Sequence, residues 1–184
     1  MSWKDIDKRQ LIIILACFIG TFILSIIRVQ PTGVTYELGE VNAYASLGDI
    51  GIFASILILG LPWGAVTSVA GLILGDIVMG SKLFIIGNLL IGSGMALFVS
   101  AFAAKCDDWK KCFVIAGMTE AIMVLGFFIY DLLIVREFSV VGIAVLLQLA
   151  QGIVCGAAGA VVLRYLPAMH PEKMLTVRRS PDER

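Results

Sequence analysis

Charge is scarce in this chain. Of 184 residues, 15% are charged and 59% are hydrophobic, and the mean hydropathy is +0.97. Soluble domains carry about 25% charged and about 45–50% apolar residues. A water-soluble fold of this size has too little interior to hide such a surplus, so a bilayer is the expected solvent. Histidine is nearly absent. The single copy, His170, lies in a polar tail, which removes most routes to a catalytic base or a zinc site. Basic excess is absent too. The 14 Lys and Arg balance 14 Asp and Glu, which excludes a basic nucleic-acid binder. The four cysteines include no CxxC pair. Cys17 and Cys155 fall in apolar stretches, while Cys106 and Cys112 flank a polar loop. All four read as reduced or simply apolar.

Long apolar runs are what the chain has in quantity. The first extends from Leu11 to Val29. At about 1.5 Å per residue it can cross a hydrocarbon core of roughly 30 Å. Lys4, Lys8 and Arg9 precede it, as in a signal peptide. The run is too long for the apolar region of one, and no small-x-small cleavage site follows before Arg28, so it reads as a retained helix. Pro31 and Gly33 end it, and a polar loop with Glu37 and Glu40 leads to about Ser46. Residues 47–80 are apolar but too many for one span. Leu61-Pro62-Trp63-Gly64 breaks them into helices at 47–61 and 64–79. Both are short for a full crossing, and a re-entrant hairpin would leave the sides of everything downstream unchanged. Further helices are expected at 83–104, 112–135 and 140–163, with Arg136-Glu137 ending the fifth and Arg164 and Pro167 closing the sixth. The expectation is an all-α integral membrane bundle of six transmembrane helices over residues 11–165. A segment 1–10 precedes it and a polar tail 166–184 follows.

Lysine and arginine set the orientation. With the N-terminus inside, the inner side holds Lys4, Lys8, Arg9, Lys105, Lys110, Lys111, Arg164, Lys173, Arg178, Arg179 and Arg184. The outer side holds only Arg28, Lys82 and Arg136. So lopsided a partition favours six spans, both termini cytoplasmic and the acidic first loop outside, in a prokaryotic-type plasma membrane.

Ionisable groups within spans cost about 2.5–3.5 kcal/mol each at the helix centre on insertion scales, so each needs a reason. Glu120 sits near the middle of helix five. Eleven steps of about 100° bring Asp131 back to within roughly 20° of its face, so Glu120, Val124, Phe127 and Asp131 form one stripe. Gln148 and Gln151 are neighbours on helix six. Asn88 lies in the outer third of helix four, and Asp49 and Asp76 lie near the outer surface. Each of these residues suits hydrogen bonding between helices. As a set gathered in the outer half they suit a solute pocket, although Asp49 and Asp76 also suit interfacial caps. Small-xxx-small pairs recur at Ala16/Gly20, Gly71/Gly75 and Gly152/Gly156/Ala160. They serve internal packing or the docking of a second membrane protein.

Three stretches carry a resemblance: Leu47-Gly48-Asp49-Ile50-Gly51-Ile52-Phe53, Leu59-Gly60-Leu61-Pro62-Trp63-Gly64-Ala65 and Gly75-Asp76-Ile77. With Glu120 to Tyr130-Asp131 and Gln148-Leu-Ala-Gln151-Gly152, they resemble the substrate-binding S components of energy-coupling factor (ECF) vitamin transporters, in the riboflavin-type group. The resemblance covers about residues 11–165. It implies six helices with both termini inside and a vitamin or precursor bound near the outer face by the first loop and helices four to six. It implies no ATPase and no cofactor in this chain. The partners would be a transmembrane coupling protein and two cytosolic ATP-hydrolysing subunits, with docking through Ala16 and Gly20 on helix one. The S component would topple in the membrane to release its cargo. The expected substrate-binding residues are Asp49, Asn88, Glu120, Tyr130, Asp131, Gln148 and Gln151. Relatives often carry a lysine in helix four, where this chain has Ile85-Ile86-Gly87-Asn88-Leu89. Their usual helix-six asparagine is Gln148 here. Those departures disfavour an anionic ligand and suit a pyrimidine- or pyridine-type heterocycle, with a flavin the group's own precedent. The rival readings are an accessory or structural multi-pass protein without ligand and a membrane-embedded enzyme. The enzyme lacks clustered acids for a metal and a histidine beside a nucleophile.

Overall fold

The computed structural model describes residues 8–32, 34–36, 41–134 and 138–166. Most of the expected end segments 1–10 and 166–184, together with Gly33, Glu37, Glu40 and the Arg136-Glu137 break, lie outside these residues. Within them the protein is all-α, with six helices: α1 Lys8–Ile26, α2 Gly48–Leu59, α3 Trp63–Val78, α4 Phe84–Phe102, α5 Trp109–Ile134 and α6 Phe138–Tyr165. Helices α1, α4, α5 and α6 are long and apolar enough to cross a bilayer, and α2 and α3 are shorter. Four such helices indicate a multi-pass membrane protein.

The packing places polar groups inside and apolar groups outside. α2 touches α1, α3, α4 and α6. Its Ile52, Phe53 and Ile56 are buried, and none of its large apolar side chains is exposed. The other five helices turn large apolar side chains outward, among them Ile12, Val66, Leu90, Leu125, Leu146 and Ile153. A lipid-facing surface has this composition, because hydrocarbon solvates apolar side chains and leaves polar ones to find partners within the bundle. The buried hydroxyls of Thr21, Ser68 and Thr119 do so locally. Each donates to the carbonyl one turn back, at Cys17, Gly64 and Ile115 respectively.

The break between α2 and α3 falls where proline and glycine place it. Gly60 has φ +65°, open to glycine at little cost, and the Leu61–Pro62 bond is cis. Gly64 then lets the two helices meet. A Cβ there would lie 2.6 Å from the Ser55 carbonyl oxygen and 2.9 Å from the Ile56 Cα, both backbone atoms. Gly64→Ala should therefore destabilise the bundle by about 1–3 kcal/mol, read as a lower unfolding midpoint in mild detergent. Gly20→Ala, with nothing within 4 Å of its added methyl, should leave the midpoint unchanged.

Three expectations are corrected. Helix one stops at Ile26 rather than Val29, because the chain then turns into a short strand, β1 (Arg28–Val29). The loop expected to be irregular contains three more, β2 (Thr35–Tyr36), β3 (Val41–Asn42) and β4 (Ala45–Ser46). β1 pairs antiparallel with β4 and β2 with β3. Strands of two residues are too short to show alternation, so the sequence gives no sign of them. Third, Cys106 and Cys112 are joined by a disulfide, where reduced thiols are expected. They bracket the start of α5, which begins at Trp109 instead of Cys112. Asp108 sets that start: its Oδ1 accepts the Lys111 backbone N–H at 2.8 Å, a helix N-cap.

The two ends of the bundle differ in charge. The end with the N-terminus of α1 carries Lys8, Arg9, Lys105, Lys110, Lys111 and Arg164. There the Arg164 guanidinium donates to the Asp107 carbonyl at 3.0 Å, and Trp109 meets Tyr165 edge-on at 5.8 Å. Lys111 pairs with Asp107 at 2.7 Å and holds that carboxyl below its ordinary range. Among the described residues the opposite end has only Arg28 and Lys82.

Candidate functional site

The end that is poor in cations holds the polar interior. Every helix delivers polar side chains to it, α1 through Ser25, and the 28–46 loop closes over them through three groups of hydrogen bonds.

The first group surrounds Asp76, near the end of α3 and 1% exposed. Tyr44 of the loop donates its hydroxyl to Oδ1 at 2.6 Å, and Asn88 of α4 donates Nδ2 to Oδ2 at 2.5 Å. Arg28 reaches Oδ1 at 3.5 Å, donates to Ser81 Oγ at 3.1 Å and lies 4.1 Å from the centre of the Tyr44 ring. This carboxylate joins β1, the loop, α3 and α4. Burial, and then the Asp76 charge, push the Tyr44 phenol well above its ordinary range, so it stays a donor.

The second group lies across the bundle. Gln151 of α6 donates Nε2 to Asp49 Oδ2 at 2.5 Å, and its Oε1 accepts the Ser46 backbone N–H at 2.7 Å. Thus one amide ties β4 and α2 to α6. Cys155 donates its thiol to the Ser46 carbonyl at 3.4 Å. Glu120, 3% exposed, packs its stem on Gly152 and Gly156 and places its carboxyl beside that of Asp49. Apart from that carboxyl–carboxyl contact, which becomes a hydrogen bond only when a proton is shared between them, neither Glu120 oxygen has a hydrogen-bond partner.

Tyr36, Asp131 and Gln148 form the third group. The fully buried Tyr36 hydroxyl donates to Asp131 Oδ2 at 2.9 Å, and Gln148 Nε2 reaches the same oxygen at 3.3 Å. Burial, followed by the Asp131 charge, pushes the Tyr36 phenol far up.

Between these groups is a cavity of about 20 Å³, enough for a water molecule. Its wall is polar at Asp49, Asn88, Gln148 and Gln151, and aromatic at Tyr44, Phe84 and Phe127. Phe84 is the hub of that aromatic part. Tyr36, Tyr44 and Phe127 meet it edge-on at 5.4, 5.1 and 6.1 Å.

Four of the expected site residues, Asp49, Asn88, Gln148 and Gln151, line the cavity. Asp131 and Glu120 adjoin it through Gln148 and Asp49. Tyr130 stands apart: it donates to the Leu83 carbonyl at 2.5 Å and packs over Gly87, fastening α5 to the start of α4. The α5 stripe is also adjusted, since Met123 and Phe127 line the cavity whereas Glu120 and Val124 line an outer groove with α6. Asp49 and Asp76 are network members and not caps. The sequence reading passed over Arg28, Tyr36, Tyr44 and Phe84 as site residues. Arg28 carried a signal, a cation at the end of an apolar run. Ala16 and Gly20 line a separate groove of about 410 Å³ on α1 and α2, apolar apart from a few hydroxyls.

No known family model matches this sequence, and no curated protein matches it with significant similarity.

Proposed function

We propose that this protein is a membrane solute-binding subunit of the ECF S-component kind. Its six helices span the membrane with both termini cytoplasmic. It captures a water-soluble vitamin or precursor from the outer side and leaves ATP hydrolysis to separate subunits. It is not itself an enzyme. The observation that carries the reading is the polar cavity under the loop. A lipid-exposed bundle has no structural need to gather Asp49, Asn88, Asp131, Gln148 and Gln151 at one end, around a small void, under a loop. The loop is held by side-chain bonds to Asp76, Asp131 and Gln151, which open without unfolding a helix. A solute enters when they release and is enclosed when they re-form. The groove at Ala16 and Gly20 on α1 is the docking face for the coupling protein, whose helix can approach closely over the small residues.

Thermal unfolding of the full chain in detergent against a panel of water-soluble vitamins tests this. A ligand at a hundred times its dissociation constant should add about 2.7 kcal/mol. No stabilisation by any member would favour the structural protein without ligand.

Orientation has its own test. Cytosolic disulfides are rare, so with the 105–111 loop inside, the Cys106–Cys112 bond of the structure should be reduced in the cell, leaving two thiols. A membrane-impermeant maleimide should then label them only after permeabilisation, with no reductant needed. Labelling of intact cells, or labelling that requires prior reduction, would place that loop outside.

A further inference from the structure

The side chains around the cavity leave a chemical imprint. Four buried side-chain atoms lack a hydrogen-bond partner among the described residues, and all are oxygens: both carboxyl oxygens of Glu120, Oδ1 of Asp131 and Oε1 of Gln148. Gln148 lines the cavity. Asp131 adjoins it through Gln148, and Glu120, which also lines the outer groove of α5 and α6, adjoins it through Asp49. Carboxylate and amide oxygens accept hydrogen bonds. No unpartnered donor accompanies them. The donors present are already committed, Tyr36 to Asp131, Gln151 to Asp49, and Asn88 and Tyr44 to Asp76.

Cations are missing from the same place. Of the two basic residues described at this end, Lys82 is exposed. Arg28 is taken up by Asp76, Ser81 and the Tyr44 ring. Among the described residues, nothing positive therefore faces Asp49, Glu120 or Asp131, although Asp49 and Glu120 place their carboxyls side by side. Two such groups in a low-dielectric interior repel unless a proton or a cation lies between them. The aromatic wall of Phe84, Phe127 and Tyr44 accepts a flat ring, and ring faces also attract cations.

We infer that the solute is a flat, cationic or readily protonated heterocycle rich in N–H donors. One donor end meets Asp131 and Gln148, and its charged end meets the Asp49–Glu120 pair. The inference rests on the solute-binding reading and gives it a substrate class.

The test has two arms on the full chain in detergent. First, any small molecule that co-purifies is extracted and identified by mass spectrometry. An amino- or amidine-bearing heterocycle is the expected result. An anionic or donor-free molecule overturns the inference and leaves solute binding standing. Second, if nothing co-purifies, equilibrium binding is compared for three probes on one ring: aminomethylpyridine, hydroxymethylpyridine and pyridinecarboxylate. The amine should bind at least about tenfold tighter than the alcohol, with the carboxylate weakest. Glu120→Gln and, independently, Asp131→Asn should each reduce that preference about tenfold; Asp131→Asn keeps the test open should the Glu120 variant fail to fold. Equal binding of the three probes, or preference for the carboxylate, overturns the inference alone. No co-purified molecule and no binding of any probe removes the solute-binding reading as well.

Discussion

Asp76→Ala should cost the fold about 3–5 kcal/mol, the range seen when one partner of a buried ion pair is removed. The reason lies in what remains. Arg28, whose side chain is 2% exposed, loses its counter-charge, and the donors of Tyr44 and Asn88 lose their acceptor. None of these can turn to water without breaking the pairing of β1 with β4 or lifting the loop from the bundle. Equilibrium unfolding in mixed detergent micelles measures the loss. Arg28→Met combined with Asp76→Leu should recover much of it, because removing both charges also removes the need to bury them. A cost below about 1 kcal/mol for Asp76→Ala would mean that this cluster does not hold the loop.

Tyr36→Phe should release bound solute about ten- to a hundredfold faster, and it should also lower the unfolding midpoint of the empty protein, in which the same bond is made. The fully buried phenol donates to Asp131 at 2.9 Å from the middle of the loop. A hydrogen bond to a charged acceptor contributes about 1.5–3 kcal/mol, and each 1.4 kcal/mol is a factor of ten. The phenylalanine ring keeps the edge-on contact with Phe84, so the packing survives. The change should fall on the dissociation rate in stopped-flow or dilution experiments, because the bond must break before the loop lifts and the ligand leaves. An unchanged dissociation rate would show that Tyr36 supports the fold and does not close the site.

How much of this was legible in the sequence follows from the range of each interaction. All six helices were placed within three residues at either end by local apolar runs, and the Pro62 and Gly60 break resolved the ambiguous stretch because turn chemistry is local. Helix one was overrun by three residues because Ile27, Arg28 and Val29 are as apolar or as long as a helix end requires. What turns the chain is pairing with residues 45–46, a contact between distant positions. Asn88, Gln148 and Gln151 could be chosen because a polar side chain in a span needs a partner. Their actual partners, Asp76, Asp131 and Asp49, were not legible. Neither were Tyr36 and Tyr44, since a tyrosine in a polar loop looks solvated until the loop folds inward. Tyr130 shows the converse. It neighbours Asp131 in sequence, yet one step along a helix turns a side chain by about 100°, and its hydroxyl reaches the Leu83 carbonyl instead.

The central claim is that the polar end under the loop holds a solute. Native mass spectrometry of the full chain, released from mild detergent after purification without added ligand, tests it most directly. The expected spectrum shows part of the population carrying one small molecule per chain, lost when Gln151→Leu removes the bonds to Asp49 and Ser46. A wild-type spectrum with no bound molecule, unchanged after incubation with every water-soluble vitamin of the panel, would contradict it.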